Sequence, residues 1–128
     1  MKNIFILLMV LSISLFSQNK EQALHIMFAG TDSTFFDDEG LRCNEFSLTP
    51  RKMYKVMDLM ESDTTSKCIV FKGNKPYMNF LKEEGSEPKM NKFNRSVIGY
   101  LECYIDGYFI NMWLFKNESF GFIVTGQS

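Results

Sequence analysis

The dipeptide Asp106-Gly107 constrains the fold more than any other feature of this chain. It lies between two segments rich in β-branched and aromatic residues, 96–105 and 108–115. A type I′ turn requires positive φ at both central residues, and Asp-Gly accepts that conformation. We therefore predict a β-hairpin in which Ile105 lies opposite Tyr108 and Leu101 lies opposite Met112.

This register assigns every side chain of the hairpin to one of two faces, because side chains alternate along a strand. The first face is apolar throughout and contains Val97, Leu101, Cys103, Ile110, Met112 and Leu114. The second face is aromatic but carries polar groups. It is either covered by N-terminal segments or by the long middle loop, or it is a binding face; the candidate residues are Tyr100, Glu102, Tyr104, Phe109, Asn111, Trp113 and Phe115.

A third strand is predicted over 120–125, after a tight turn at Asn117-Glu118. That turn would pair Phe115 with Phe120, Trp113 with Phe122 and Met112 with Ile123. Gly99 and Gly121 would then flank Leu114. Two glycines in one row indicate close approach by another element, for which a helix is the natural candidate.

One amphipathic helix is predicted over Pro50–Glu61. Thr49 suits the N-cap, and proline suits the first helical position because its missing N–H costs nothing there. Apolar residues then recur at helical spacing, at Met53, Val56, Met57 and Met60. We expect this stripe to pack on the apolar face of the hairpin.

The remaining segments are less strongly patterned. We interpret 22–28 as a first strand, 30–46 as a loop with an acidic centre, and 67–72 as another strand. Segment 76–84 fits either an edge strand or a short helix ending at Gly85, and 83–94 is expected to be a long exposed loop.

An antiparallel sheet, formed by a C-terminal three-strand meander and one or two further strands, with one helix on one face, defines an α+β class. The order of elements is similar to that of cystatin-like and NTF2-like folds. The glutamine-valine-glycine loop of cystatin inhibitors does not occur between these strands.

Residues 1–17 are expected to be a secretory signal peptide rather than part of the fold. Lys2 supplies a positive start, residues 4–16 are almost entirely apolar, and Ser17 suits the position before the cut. This leader resembles those of secreted bacterial proteins. We expect cleavage after Ser17, a single domain over 18–128, a secreted or periplasmic location and no stable membrane insertion. An uncleaved anchor is the alternative.

An exported chain can form disulfides, and this one has three cysteines. Cys103 falls on the apolar face, where a free cysteine behaves as a small hydrophobic residue. We therefore expect a Cys43–Cys68 bridge, with three buried thiols as the alternative.

Charge and composition offer little support for nucleic-acid binding, for a metal or cofactor site, or for nucleophilic catalysis. The net charge is −1, which does not favour nucleic acid as a partner. No CxxC motif occurs and His25 is the single histidine, so we expect neither a metal nor another cofactor. Nucleophilic catalysis would have to use His25, with no nucleophile motif around any serine or cysteine.

Two functional hypotheses remain. The first is a secreted non-catalytic binding or inhibitory module, whose aromatic face contacts a protein, a small molecule or a second copy of the chain. The second is a small hydrolase or ligand-binding domain with its site near Glu102 and Trp113. A concave pocket gathering Glu102, Tyr100, Trp113 and Asn111 would favour the second, and a flat or covered face the first.

Overall fold

A computed structural model describes residues 19–85 and 91–125, which form an α+β fold with a six-stranded antiparallel sheet. The predicted signal peptide lies outside these residues. The helices are α1 (19–29), α2 (Pro50–Glu61), α3 (Asn74–Glu83) and α4 (Lys92–Ser96). The strands are β1 (Thr31–Phe36), β2 (Arg42–Leu48), β3 (Lys67–Lys72), β4 (Gly99–Ile105), β5 (Tyr108–Leu114) and β6 (Ser119–Thr125). Across the described ranges, no helix is both long and apolar enough to cross a membrane.

The strands lie in the order β1-β2-β6-β5-β4-β3, so the chain crosses the sheet between β2 and β3. Those strands are separated by four inter-strand spacings, or about 19 Å at ~4.8 Å each. Helix α2 makes the crossing, and its 12 residues span about 18 Å. The length of α2 therefore matches the width of sheet that it traverses.

The predicted register of the central hairpin is confirmed. Ile105 pairs with Tyr108 and Leu101 pairs with Met112. The turn residues Asp106 and Gly107 have φ values of 46° and 84°, as a type I′ turn requires.

The apolar face of the sheet packs against α1 and α2, and the two layers enclose the main core. The predicted stripe of α2 is buried completely or almost completely, at Met53, Val56, Met57 and Met60. The sheet contributes Leu101, Cys103, Ile105, Ile110, Met112, Leu114 and Ile123. Val97 is also buried, but it precedes β4 and belongs to a second cluster on the other side of the sheet, so its assignment to this face was wrong.

Helix α2 begins as predicted, with the Thr49 hydroxyl accepting a hydrogen bond from the Lys52 N–H. Its acidic residues lie near the C-terminal end, where the helix dipole disfavours them. A specific contact offsets this arrangement. The Lys72 ammonium of β3 lies 2.6 Å from Asp58 and 3.0 Å from Glu61.

The segment expected to be the first strand is part of α1. Leu24, Ile26 and Phe28 alternate as in a strand, but the fully buried residues are Ala23 and Met27, one helical turn apart. Glutamine, alanine, leucine and methionine all have high helix propensity. The helical pairing buries two side chains completely, whereas in the alternating set Leu24 and Ile26 are partly buried and Phe28 is exposed.

The predicted loop over 30–46 is instead a hairpin of β1 and β2. Its acidic centre forms the turn, where the Asp37 carboxylate accepts hydrogen bonds from the N–H groups of Glu39 (2.9 Å) and Leu41 (2.8 Å). An aspartate that satisfies backbone donors two to four residues ahead stabilises a turn. The acidic residues therefore shape the hairpin.

Segment 76–84 is helical rather than extended: residues 76–83 belong to α3, Glu84 is its C-cap, and Gly85 follows at φ 73°. The long loop expected over 83–94 is shorter than predicted, because α4 begins at Lys92. Residues 86–90 lie outside the described part of the chain. Helices α3 and α4 contact each other on the sheet face opposite α2.

The register predicted for β5 and β6 was wrong by two residues. The turn is centred one residue earlier, with the Phe115 N–H donating to the Glu118 carbonyl, so Trp113 pairs with Phe120 and Met112 with Gly121. A shift of two residues keeps every side chain on its face. Gly99 does lie against α2, at the Met57 side chain, but Gly121 makes room for Phe46 of β2.

Gly121→Ala is expected to lower the free energy of unfolding by about 1–3 kcal/mol or more, the usual cost of overpacking. A Cβ atom there would collide with the Asn111 carbonyl and lie 2.7 Å from Met112 Cγ and 2.8 Å from Phe46 Cζ. Gly99→Ala is the comparison, because its closest contacts of 3.2 Å are with side-chain atoms of Leu114. Urea denaturation should rank Gly121→Ala as the more damaging change, and equal costs would contradict this packing.

The disulfide joins Cys68 to Cys103, so the expected Cys43–Cys68 bridge was wrong. Cys68 lies directly opposite Cys103 in the β3–β4 pair, with 4.2 Å between the Cα atoms. Cys43 lies on β2, four strand spacings from β3, far beyond the ~7 Å that a bridge can span. It is a buried free thiol whose pKa is raised by burial and by the nearby Asp37 charge.

Candidate binding face

The sheet face opposite α2 consists of three cross-strand rows, which follow from the pairing of all six strands. We call them the covered row, the polar row and the open row. The covered row is Ser47, Phe120, Trp113, Tyr100 and Phe71. The polar row is Ser33, Glu45, Phe122, Asn111, Glu102 and Ile69. The open row is Phe35, Cys43, Val124, Phe109, Tyr104 and Lys67.

Helices α3 and α4 pack their aromatic residues onto the covered row. Tyr77 and Phe80 of α3 lie 5.3 and 6.0 Å from Tyr100, measured between ring centroids. Phe93 of α4 lies 6.3 Å from Trp113 and 6.1 Å from Phe120. The Phe80–Tyr100 pair is stacked and the others are tilted or edge-on, which are arrangements that aromatic pairs favour.

Tyr100 is therefore part of a second core rather than an accessible binding residue. Only 5% of its surface is exposed, and its hydroxyl accepts a hydrogen bond from the Asn111 amide at 2.8 Å. Burial raises the pKa of the Tyr100 phenol, and the negative charge of Glu102 acts in the same direction. Tyr100 thus remains a neutral phenol that orients the Asn111 side chain.

A polar contact also fixes α3 and α4 above this row. The Tyr77 hydroxyl donates to Asn94 Oδ1 of α4 at 2.8 Å, deep in the cluster. Burial raises the pKa of the Tyr77 phenol, while a hydrogen bond with Trp113 acts in the opposite direction. Trp113 is only partly exposed, between Phe93 on one side and Tyr100 on the other.

Glu102 lies in the polar row, half-buried, between Asn111 and Ile69. The Asn111 amide, directly opposite on β5, donates its hydrogen bond to the Tyr100 hydroxyl rather than to Glu102. Within 19–85 and 91–125, the Glu102 carboxylate has neither an ion pair nor a hydrogen bond. It is an uncompensated negative charge bordered by aromatic rings.

The open row extends across the sheet beyond the reach of α3 and α4. Tyr104 is 56% exposed and packs against Phe109, with 4.7 Å between ring centroids. At the other end, Phe35 is 43% exposed and contacts the partly exposed ring of Phe122. The predicted aromatic face is thus divided into a half covered by helices and a half open to solvent.

Phe115 lies just beyond the end of β5, where its ring stacks on Phe120 at 5.7 Å and meets Phe93 at 5.2 Å. It therefore belongs to the covered half. A groove of about 530 Å³ begins nearby, between the end of β2, the start of α2 and the β5–β6 turn. Glu45, Ser47 and Phe120 line it, but Glu102, Tyr100, Trp113 and Asn111 do not.

The residues considered for catalysis lie apart. His25 is exposed on α1, which packs against the opposite side of the sheet from Glu102. Glu45 shares the polar row with Glu102, but three strand spacings, or about 14 Å, separate their strands. Paired carboxylates in glycoside hydrolases lie about 5–9.5 Å apart. Among the described residues, no group of three or more histidine, cysteine or acidic side chains could hold a metal ion.

No family model, no curated protein and no solved structure matches this chain. The open face is therefore interpreted from its own chemistry. Two residues of the open half, Phe35 and Glu45, were not predicted from the sequence, and neither were the rings of Tyr77, Phe80 and Phe93 that cover the other half. The aromatic pair Tyr77 and Phe80, spaced three residues apart, could have indicated the face of α3 that packs on the sheet.

Proposed function

We propose that this protein is a secreted, non-catalytic binding module that holds its partner on the open and polar rows of the sheet. The observation that carries the proposal is the Glu102 carboxylate, which has no partner in the described part of the chain, beside the exposed ring of Tyr104. Monomeric proteins rarely expose a contiguous apolar surface without a binding role. The Cys68–Cys103 disulfide is compatible with an oxidising compartment outside the cytosol.

The chemistry of the two rows favours a polypeptide segment that combines apolar and basic side chains. Phe109, Phe122 and Val124 offer apolar surface along the sheet. Glu45 and Glu102 add negative charge in the adjacent row, while Lys67, the basic residue of these two rows, lies at the β3 end of the open row. A lysine or arginine of the partner could approach Glu102 and the face of the Tyr104 ring together, which combines an ion pair with a cation–π contact.

The test is capture of the partner by the wild-type protein from the medium or envelope of its host, followed by affinity measurement with variants. Tyr104→Ser is expected to weaken binding by about tenfold or more, because exposed aromatic anchors dominate interface energies. Tyr54→Ser is the matched control, since Tyr54 is 42% exposed on α2, away from the face. Equal affinities for the two variants would contradict the proposal.

Removal of the charge alone tests the chemistry of the partner. Glu102→Gln keeps the shape of the side chain and should weaken binding several-fold at low salt, with a smaller effect at high salt because ions screen the attraction. Glu83→Gln, at an exposed position on α3, is the control. Tighter binding by Glu102→Gln would indicate an acidic or wholly apolar partner instead.

A further inference from the structure

The two edges of the sheet differ in how they are protected against pairing with another strand. Strand β3 carries Lys67 and Lys72 at its ends, and both α2 and α3 pack beside it. Charged residues and covering helices are the usual protection of an edge strand. Strand β1 has its principal contacts with β2, and its single charged residue, Asp32, lies at a bulge at the start of the strand.

Among the described residues β1 pairs with another strand on one side only, and it has backbone groups directed toward its other, free edge. The Asp37 N–H donates to the Leu41 carbonyl at 2.9 Å, so the backbone groups of Asp37 are directed toward β2. The backbone groups of Phe35 and Ser33, two and four residues earlier, therefore also form hydrogen bonds with β2. Hydrogen-bonding direction alternates along an antiparallel strand. The N–H and C=O groups of Thr34 and Phe36 therefore point away from the sheet.

Two large apolar side chains lie beside these groups. Phe36 is 71% exposed and Phe35 is 43% exposed, and they project from opposite faces of the same edge. Exposed aromatic residues on an unpaired edge favour addition of another strand. The edge is therefore suited to backbone pairing and to apolar contact on both faces.

We propose that β1 pairs antiparallel with β1 of a second copy of this chain, around a twofold axis at Phe35. In this register Thr34 of each copy lies opposite Phe36 of the other copy. The outward N–H and C=O groups of these two residues form the hydrogen bonds between the copies. The two Phe35 rings then meet across the axis as a cross-strand aromatic pair. A twofold interface requires a self-complementary surface, and this edge provides one.

The charges around the edge are consistent with this register. Within the paired segment 33–37, the register places no two like charges opposite each other. The charged residue of that segment, Asp37, lies opposite the neutral Ser33 of the other copy. Asp32 and Asp38 lie just beyond the paired segment, where their mutual repulsion is exposed and screened by salt. A short edge buries less area than the ~1,200–2,000 Å² of a standard interface. The dimer is therefore reversible and becomes tighter as the salt concentration rises.

Sedimentation of the purified protein over a wide concentration range tests the assembly. The mean mass of the wild-type protein is expected to rise toward twice the monomer value. Phe35→Lys should remain monomeric at every concentration, because it sets two positive charges against each other. Tyr54→Lys, an exposed position of similar accessibility on α2, should behave as wild type. A wild-type protein that stays monomeric throughout, or a Phe35→Lys dimer, overturns the proposal.

Disulfide trapping tests the register. The trapping variants carry Cys43→Ala, because Cys43 lies opposite Phe35 on β2 and would capture a cysteine placed there. Directly opposed, non-hydrogen-bonded residues have Cα atoms about 4.5 Å apart, within the range of a disulfide. Phe35→Cys should therefore cross-link to its copy. Thr34→Cys faces Phe36 instead and lies beyond ~7 Å from its own copy, so it should cross-link at least tenfold less.

Three results of the trapping experiment would overturn the proposal. Equal cross-linking of Phe35→Cys and Thr34→Cys would indicate random collision. Cross-linking of Thr34→Cys alone would indicate another register. Failure of both, together with protection of the Thr34 and Phe36 amides from hydrogen exchange only after addition of host envelope extract, would indicate that a foreign strand occupies the edge.

Discussion

Leu101→Ala is expected to lower the free energy of unfolding by about 2–5 kcal/mol, the range for truncation of buried leucines. Leu101 has no exposed surface and lies on the interior strand β4, between Val70 of β3 and Met112 of β5. Helices α1 and α2 close the core that contains it. A cavity at this position is bordered by strands on both sides, so the surroundings cannot collapse into it easily.

Glu102→Gln is the matched control, because residue 102 is the next along the strand and points to the opposite face. It should change stability by less than about 0.5 kcal/mol, as expected for a partly exposed side chain without a partner. Urea denaturation of both variants measures the difference. Similar losses in the free energy of unfolding for the two variants would mean that Leu101 and Glu102 do not point to the sheet faces described above.

Removal of the disulfide is expected to have a comparably large effect. The bridge spans 35 residues, and closing a loop of that length stabilises the folded state by about 4 kcal/mol in the chain-entropy model, with measured losses of about 2–5 kcal/mol. The double variant Cys68→Ala, Cys103→Ala should therefore unfold at a much lower urea concentration. The bridge also ties the edge strand β3 to its neighbour β4.

Cys43→Ala is the control for the disulfide, since it removes a buried cysteine without opening a loop. Cys43→Ala should lower the free energy of unfolding by less than the double variant Cys68→Ala, Cys103→Ala does. Peptide mapping without reduction should find Cys68 linked to Cys103 and Cys43 as a free thiol. A Cys43–Cys68 peptide, or equal stability of the double variant and the wild-type protein, would contradict the described pairing.

The elements predicted correctly from sequence are those specified by local chemistry. Asp106-Gly107 determines its own turn, so the register of β4 and β5 follows directly. Thr49-Pro50 and the apolar spacing after it determine α2 in the same way. The α+β class follows from these two elements alone.

The elements predicted wrongly depend on contacts between distant parts of the chain. Segment 22–28 fits a strand and a helix equally well until the rest of the core buries Ala23 and Met27. The correct disulfide requires that β3 lie beside β4, which follows from the crossing of α2 over the sheet. Acidic residues near Asp37 resemble a solvated loop unless their turn hydrogen bonds are known.

The candidate binding face was predicted in part for the same reason. The pairing of strands β4 and β5 placed Tyr104 opposite Phe109 and Glu102 opposite Asn111 correctly. The cover over Tyr100 comes from α3 and α4, whose sequence did not distinguish helix from strand or loop. Which half of an aromatic face remains open depends on these packing helices, and a hairpin register alone does not determine it.

The central claim is that the half of this face left open by α3 and α4 is the surface that binds a partner. Hydroxyl-radical footprinting of the protein, alone and with its captured partner, tests that claim most directly. In the free protein, Tyr104 should oxidise readily while Tyr100 and Tyr77, which are almost fully buried, stay protected. Addition of the partner should protect Tyr104 and Phe109 and leave the exposed Tyr54 unchanged. Protection of Tyr54 with Tyr104 still reactive would contradict the account.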